Sequence, residues 1–302
     1  MHSHNDRRRY SLRKLILITT LLTFGVTLSA MATPTGPFAV FAQCPTEVPS
    51  VGYCTYAQTT SGEFAVGSTK VPVSKTITLQ GGGIEFEPGK LFLFPAKNGE
   101  SLSKTALNVP GGLLNIINCK EIKGEGLFEK LARGSCESIF ENKVTGVTAT
   151  TELVANAGNP AILDASSLLS ETGTALTLPV RVHLSNPLLG SNCYIGSETN
   201  PINLHLTTGT TSPPEPNKPI SGKTGTVTTE GEELIIVLNE NSLVDNGWAT
   251  PTAEGCGGFF SFLINPLVNS KLGLPSKAGH NTAILNGTLR IVTRQAVVEH
   301  GG

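Results

Sequence analysis

Four side chains in this sequence are suited to acid–base or metal chemistry, and they belong to no complete motif. Glu85 and Glu87 are two residues apart in a strand-like segment, so both carboxylates point to one face, about 7 Å apart. Glycosidases use paired carboxylates at such separations. His183 and His205 lie opposite the apolar positions of two other strand-like segments, where they would share a metal ion if those strands were paired. Two pairs of solvent-facing side chains remain the simpler interpretation.

Two short fragments resemble motifs of penicillin-recognising enzymes. They are Ser101-Leu-Ser-Lys104 and Lys223-Thr224-Gly225. In those enzymes the serine is the nucleophile and opens a helix, which brings the lysine beside it. Here Asn98-Gly99 precedes the serine and Pro110 follows within ten residues, which favours a loop. The sequence also lacks a Gly-x-Ser-x-Gly turn. A secreted hydrolase therefore remains an alternative without a recognised site.

An apolar run between Gly257 and Leu274 indicates either a core segment or the wall of a ligand pocket. Runs of this kind are more often core. The pocket interpretation predicts an extracytoplasmic carrier of an apolar ligand. The side chains that would line such a pocket are Phe259, Phe260, Phe262 and Leu263.

Six cysteines predict three disulfides. An even number of cysteines in an exported chain is typical of disulfide bonding, and CxxC-type zinc spacings are absent from the sequence. Six cysteines allow fifteen connectivities. We favour pairing between neighbours, because short loops close easily during folding and the remaining pair then closes the longest loop. The predicted pairs are Cys44 with Cys54, Cys119 with Cys136, and Cys193 with Cys256.

The first forty residues predict export. Basic residues at 7, 8, 9, 13 and 14 precede an apolar run from Leu15 to Leu28, and Ala30-Met31-Ala32 is a small-x-small cleavage site. We therefore predict a signal peptide over 1–32, with cleavage after 42 as a second possibility. Residues 33–302 would form a single secreted domain. That domain contains no run of about 20 apolar residues, so we predict no integral membrane span in it.

The charge of the predicted mature chain argues against nucleic acid as a partner. It carries 17 basic and 22 acidic residues, a net charge of −5 with neutral histidines. Nucleic acids attract faces rich in lysine and arginine. The sequence contains no cofactor motif, so we predict no cofactor. Partners consistent with this composition are the cell envelope or an apolar ligand.

Short alternating segments predict a mainly β fold. Apolar residues recur at every second position in many segments, and Gly, Pro and Asn separate them. Two of the predicted turns between such segments are Gly81-Gly82-Gly83 and Pro88-Gly89. The stretch at about 111–142 differs, because its apolar residues recur at three- and four-residue steps, as in an amphipathic helix. We expect an antiparallel β-sandwich-like body with a small helical insertion and three disulfides.

Several cysteine-flanked segments support a resemblance. These are Cys193-Tyr-Ile-Gly, Ser242-Leu-Val-Asp-Asn246, Gly255-Cys-Gly-Gly258 and Ala278-Gly-His-Asn-Thr282. With them, most of the predicted mature chain resembles a group of uncharacterised secreted proteins of high-GC Gram-positive bacteria. The resemblance implies a secreted bacterial protein and carries no activity. No nucleophile, base and orienting residue form a convincing pattern in the sequence, and aspartate and aromatic residues are scarce. Our leading hypothesis is for this reason a non-enzymatic exported binding or envelope-associated structural protein, with the hydrolase and the apolar-ligand carrier as alternatives.

Overall fold

The alternating segments of the sequence form strands in a computed structural model that describes residues 34–115, 117–141 and 144–300. The predicted signal peptide, 1–32, lies outside the described residues, as does position 142 at the end of the predicted insertion. All described residues fall within one unit, Ala32–Gly302. In the described part of the chain, no helix has the length and apolar character needed to cross a membrane.

The structure contains fourteen strands, four α-helices and short 3-10 helices within the described residues. The strands are β1 Tyr53–Val66, β2 Thr69–Pro72, β3 Ile77–Glu87, β4 Lys90–Phe94, β5 Ala106–Asn108, β6 Thr148–Leu153, β7 Ile162–Asp164, β8 Leu176–Ser185, β9 Tyr194–Ile195, β10 Ile202–Leu206, β11 Thr226–Glu230, β12 Ile235–Asp245, β13 Ala253–Glu254 and β14 Thr282–Thr293. The helices are α1 Leu127–Glu141, α2 Ala165–Ser170, α3 Ser261–Leu272 and α4 Arg294–His300. The 3-10 helices are Gly36–Phe41, Gly112–Asn115, Cys119–Glu121 and Gly258–Phe260.

The strands form one antiparallel sheet that curls on itself. Its order is β11-β12-β14-β1-β3-β4-β7-β8-β6-β5, and β10 pairs with β8 on the side opposite β6 and β7. Beyond the end of β10, Thr207 and Val244 exchange two backbone hydrogen bonds of 2.9 Å each. These bonds join β10 to β12 and close a ring through β14, β1, β3, β4, β7 and β8. The prediction of a mainly β, antiparallel fold is confirmed, and the body expected to be sandwich-like is one hydrogen-bonded sheet of fourteen strands within the described residues.

Two apolar clusters lie on opposite faces of this sheet. The larger cluster lines the inside of the curl, with Leu178 and Leu204 on one side and Leu285 and Leu289 on the other. The smaller cluster covers the outer face of β1, β12 and β14 with α4 and the first 3-10 helix. Strand alternation accounts for this division, because successive side chains point to opposite faces. Burial on both faces of these three strands makes them the centre of the molecule.

The helical insertion and the three disulfides are confirmed. Helix α1 lies within the predicted stretch and runs through Gly134 without a break. The three disulfides join Cys44 to Cys54, Cys119 to Cys136 and Cys193 to Cys256, which is the predicted neighbour pairing. No free cysteine remains among the described residues. Three disulfides indicate an oxidising compartment.

One predicted turn is wrong. Gly81-Gly82-Gly83 lies in the middle of β3 and pairs with Thr55, Cys54 and Tyr53 of β1. The glycines are needed for close approach, because a Cβ atom at Gly81 would overlap the carbonyl oxygen of Phe94. By contrast, the turn predicted at Pro88-Gly89 connects β3 to β4.

Candidate functional site

The four residues of the predicted apolar pocket do not share one environment. Phe259 and Phe262 are exposed, with 75% and 56% of their surface open to solvent. Phe260 and Leu263 are half-buried and pack against the main core. The Phe259 ring lies 5.6 Å from the ring of Phe128 on α1, so these aromatic side chains form part of an outward apolar surface. None of the four lines any of the cavities described below.

The helix pattern explains this placement. Helix α3 buries Ile264, Val268 and Leu272, which recur every four residues and share one face. Phe262 lies off that face, and Phe259 lies in the preceding 3-10 helix. The apolar run therefore contributes a core stripe, as the simpler interpretation expected, while its phenylalanines face outward.

An apolar cavity of about 70 Å³ lies inside the curled sheet instead. Nine strands contribute to its wall, chiefly through side chains that follow the inward alternation. A water molecule needs about 10–15 Å³ of such space, and cavities lined by Leu, Ile and Phe stay dry and take up apolar molecules. Among its lining residues are Ile77, Leu163, Leu176, Leu178, Leu285 and Leu289.

A second apolar cavity, of about 50 Å³, adjoins the first. Four residues line both cavities, so the two spaces share a wall. The second cavity extends toward Trp248, a buried side chain whose indole nitrogen donates to the backbone oxygen of Asp245. The shared residues are Phe64, Thr151, Val180 and Leu204.

The sheet has a gap beside the first cavity, which we call the window. The ladder between β4 and β7 ends at Leu93, whose N–H donates to the oxygen of Ala161, and the ladder between β5 and β6 ends at Ala106 and Thr150. Between these two ladders, residues 95–104 leave β4 and return along β3, and residues 155–161 connect β6 to β7. The described strands β4 and β6 are not paired across this gap. The window therefore opens where two neighbouring ladders end.

A surface cleft of about 940 Å³ lies over the window. Leu79, Leu93 and Leu102 line both this cleft and the interior cavity, so they form the partition between them. All three leucines are half-buried. The partition consists of flexible side chains, because no ladder of backbone hydrogen bonds crosses the window.

The charges in the cleft are paired. Arg181 Nε donates to Glu152 Oε2 at 2.8 Å, and another guanidinium nitrogen lies 3.4 Å from Glu198. The Arg181 guanidinium also stacks over the Tyr194 ring at 4.5 Å, a cation–π contact. At the opposite rim, Lys104 lies 3.6 Å from Glu100. Both cations that line the cleft, Arg181 and Lys104, are therefore paired with carboxylates.

The candidate hydrolase residues do not converge. In the β3–β4 hairpin, Glu85 accepts a hydrogen bond from the N–H of Gly89, and Glu87 pairs with Lys90 at 2.6 Å. The hydrogen bond and charge of Glu87 raise the pKa of the Lys90 ammonium above its ordinary value. These carboxylates therefore serve the hairpin turn rather than a cleft.

The two histidines are also apart. His205 on β10 lies opposite Thr177 of β8, whereas His183 is six residues further along β8, a separation of about 20 Å. His183 stacks on Tyr194 with ring centroids 4.6 Å apart, and its Nε2 atom is buried with no hydrogen-bond partner within the described structure. In residues 34–115, 117–141 and 144–300, no group of three or more His, Cys, Asp and Glu side chains is placed to hold a metal ion.

The serine and lysine fragments lie in separate cavities. Ser101 sits in the loop over the window, where its hydroxyl accepts a hydrogen bond from the N–H of Ala96. Lys223 lines a polar groove of about 540 Å³ on the other side, with Asn241 and Thr288. Ser101 lies in a loop and does not begin a helix. This is the loop that Asn98-Gly99 and Pro110 predicted.

Asp245 strengthens the join between β10 and β12. Its carboxylate accepts hydrogen bonds from the N–H of His205 at 2.7 Å and from the N–H of Gly247 at 2.9 Å. Burial raises the pKa of Asp245 above its ordinary value of 3.8, and these two hydrogen bonds oppose that shift. The carboxylate therefore connects two strands at the expense of its own solvation.

Sequence reasoning missed the cavity and the window, although part of the signal was present. The alternation at Leu176, Leu178 and Val180 places these side chains on one face, and the structure turns that face inward. The pairing that brings residues so distant in sequence to one space has no local signal. Comparisons with protein-family models, with curated proteins and with solved structures find no match for this chain.

Proposed function

We propose that this protein is a non-enzymatic, secreted binding protein that holds a small apolar ligand inside its curled sheet. The observation that carries the proposal is the apolar cavity, separated from a large outer cleft by Leu79, Leu93 and Leu102. Binding pockets are mostly apolar, concave and largely pre-formed. The disulfides and the predicted signal peptide support a site of action outside the cytoplasm.

This proposal keeps the carrier hypothesis but assigns it to different residues. The predicted pocket at Phe259, Phe260, Phe262 and Leu263 is replaced by the wall between β8, β10, β14 and β1. The scattered positions of Glu85, Glu87, His183 and His205 give no support to the hydrolase alternative.

Xenon and short straight-chain alcohols test the proposal, because both fit narrow apolar spaces. We expect chemical shift changes on titration at the methyl groups of Leu178, Leu204 and Leu289. A native mass spectrum of the purified protein should show the same ligands bound in a one-to-one ratio. Shift changes confined to surface methyl groups would contradict the proposal.

A variant that fills the cavity sharpens this test. Val180 is buried and lines both cavities, so Val180→Phe should weaken alcohol binding at least tenfold by occupying the space. Thr151→Ile, which adds less volume at the same shared wall, is the second variant if Val180→Phe does not fold. The matched control is Val227→Phe, because Val227 is an exposed residue on β11, outside the cavities.

A further inference from the structure

The interior cavity has two ends that approach the surface, and they differ in how firmly they are closed. At one end, Asn241 and Thr288 line both the cavity and the polar groove. These residues belong to β12 and β14, which are hydrogen-bonded neighbours with Asn241 opposite Gly287. The ladder has a β-bulge between Leu238 and Asn241, opposite Thr288, and a ligand entering there would have to part the paired residues on either side of this bulge.

The other end is the window. Its partition is made of the side chains of Leu79, Leu93 and Leu102, and β4 and β6 are not paired across it. Rotation of leucine side chains breaks no backbone hydrogen bond. The window is therefore the route that costs least to open.

The charged and polar side chains of the cleft determine which kind of ligand head group can lie outside the window. Its two cations are already paired, Arg181 with Glu152 and Lys104 with Glu100. A charged head group would have to displace one of these partners, whereas an uncharged one would not. Tyr194 lines the same cleft, and its hydroxyl can both donate and accept a hydrogen bond.

We infer that the ligand is an amphipathic molecule with a single alkyl chain and an uncharged polar head, and that it enters through the window. The chain occupies the interior cavity and the head, a hydroxyl, ester or amide, stays in the cleft beside Arg181 and Tyr194. This inference rests on the proposed function. A free alcohol and an uncharged lipid head group share this chemistry.

Head-group selectivity is measured with three probes of equal chain length: 1-octanol, octanoate and octyltrimethylammonium. We expect 1-octanol to bind at least tenfold more tightly than either charged probe at neutral pH. Octanoate binding as tightly as 1-octanol would overturn the assignment of an uncharged head, because it would mean that Arg181 is available as a cation. A monoacylglycerol of similar chain length distinguishes a lipid source from a free alcohol.

The route is tested at the rim of the window. Ala157 is exposed and lines the cleft, so Ala157→Trp should obstruct the window and slow 1-octanol association at least tenfold. Ala39→Trp, at an exposed alanine outside the cleft, is the matched control and should leave the rate unchanged. Binding of 1-octanol that is insensitive to Ala157→Trp would overturn the window route and leave cavity binding intact. Absence of binding by both xenon and 1-octanol would instead overturn the proposed function.

Discussion

The curled sheet has two contrasting places, the join between β10 and β12 and the window between β4 and β6. Backbone hydrogen bonds close the join, whereas β4 and β6 are not paired across the window. Thr207 and Val244 exchange two hydrogen bonds at the join, and Asp245 adds a third through its side chain. At the window, three leucine side chains take the place of a ladder. A sheet can therefore close on itself in topology and still leave an apolar opening.

The largest effect should come from the disulfide beside the window. Cys193 precedes Tyr194 of the cleft and is joined to Cys256 across 63 residues. Replacing both with serine should lower the free energy of unfolding by about 4 kcal/mol, because the loop is long. The matched control is the Cys44–Cys54 pair, whose 10-residue loop predicts a loss of about 3 kcal/mol. Urea unfolding measures both, and a larger loss for the short loop would contradict the chain-entropy explanation.

The next effect concerns the join. Val244→Pro removes the N–H that donates to Thr207 and leaves the Thr207 oxygen without this bond, so we expect a loss of about 1–3 kcal/mol. Val244→Ala keeps this N–H and loses only packing, so it separates the two contributions. If both variants unfold at the same urea concentration, the backbone bond does not stabilise the join.

Asp245 should make the stability of the join depend on pH. Its folded pKa lies above 3.8, so ionisation opposes folding: the free energy of unfolding should fall as the pH rises through the folded value. Asp245→Asn should remove this fall, which urea unfolding at several pH values would show.

Glu121 serves as the control of opposite sign for Asp245. The hydrogen bond from Lys271 lowers the pKa of the Glu121 carboxyl. Any contribution of this carboxylate to the free energy of unfolding should therefore be present above its ordinary pKa and be lost as the pH falls through the lowered pKa. A wild-type profile identical to that of Asp245→Asn would show that the join does not depend on the carboxylate.

The smallest effect is expected at the rim of the window. Arg181→Met keeps the length of the side chain but removes its ion pairs, and we expect a loss of about 0.5–1 kcal/mol in thermal unfolding. Arg290→Met removes the ion pair with Glu230 between β14 and β11 and should cost a similar amount. A loss above about 3 kcal/mol at Arg181 alone would show that the ion pair, rather than the flanking ladders, holds the window in shape.

Local patterns predicted the strands, helix α1 and the disulfides, because period-two alternation, three- and four-residue steps and short loops are properties of nearby residues. They failed at Gly81-Gly82-Gly83, where the glycines meet a neighbouring strand rather than form a turn. They also failed to separate the buried Ile264 from the exposed Phe259 in one apolar run. The cavity and window depend on long-range pairing, which composition and periodicity do not encode.

The first 3-10 helix has a consequence for maturation of the chain. Phe38 and Phe41 are 4% and 2% exposed, and they pack under β12, β14 and α4. Processing after Ala32 would retain both rings, whereas processing after Ala42 would remove them and uncover apolar residues such as Val237. Each ring contributes about 2–3 kcal/mol when fully buried. The position of a single peptidase cut would therefore decide how stable the processed chain is, and N-terminal sequencing should find residue 33 rather than 43.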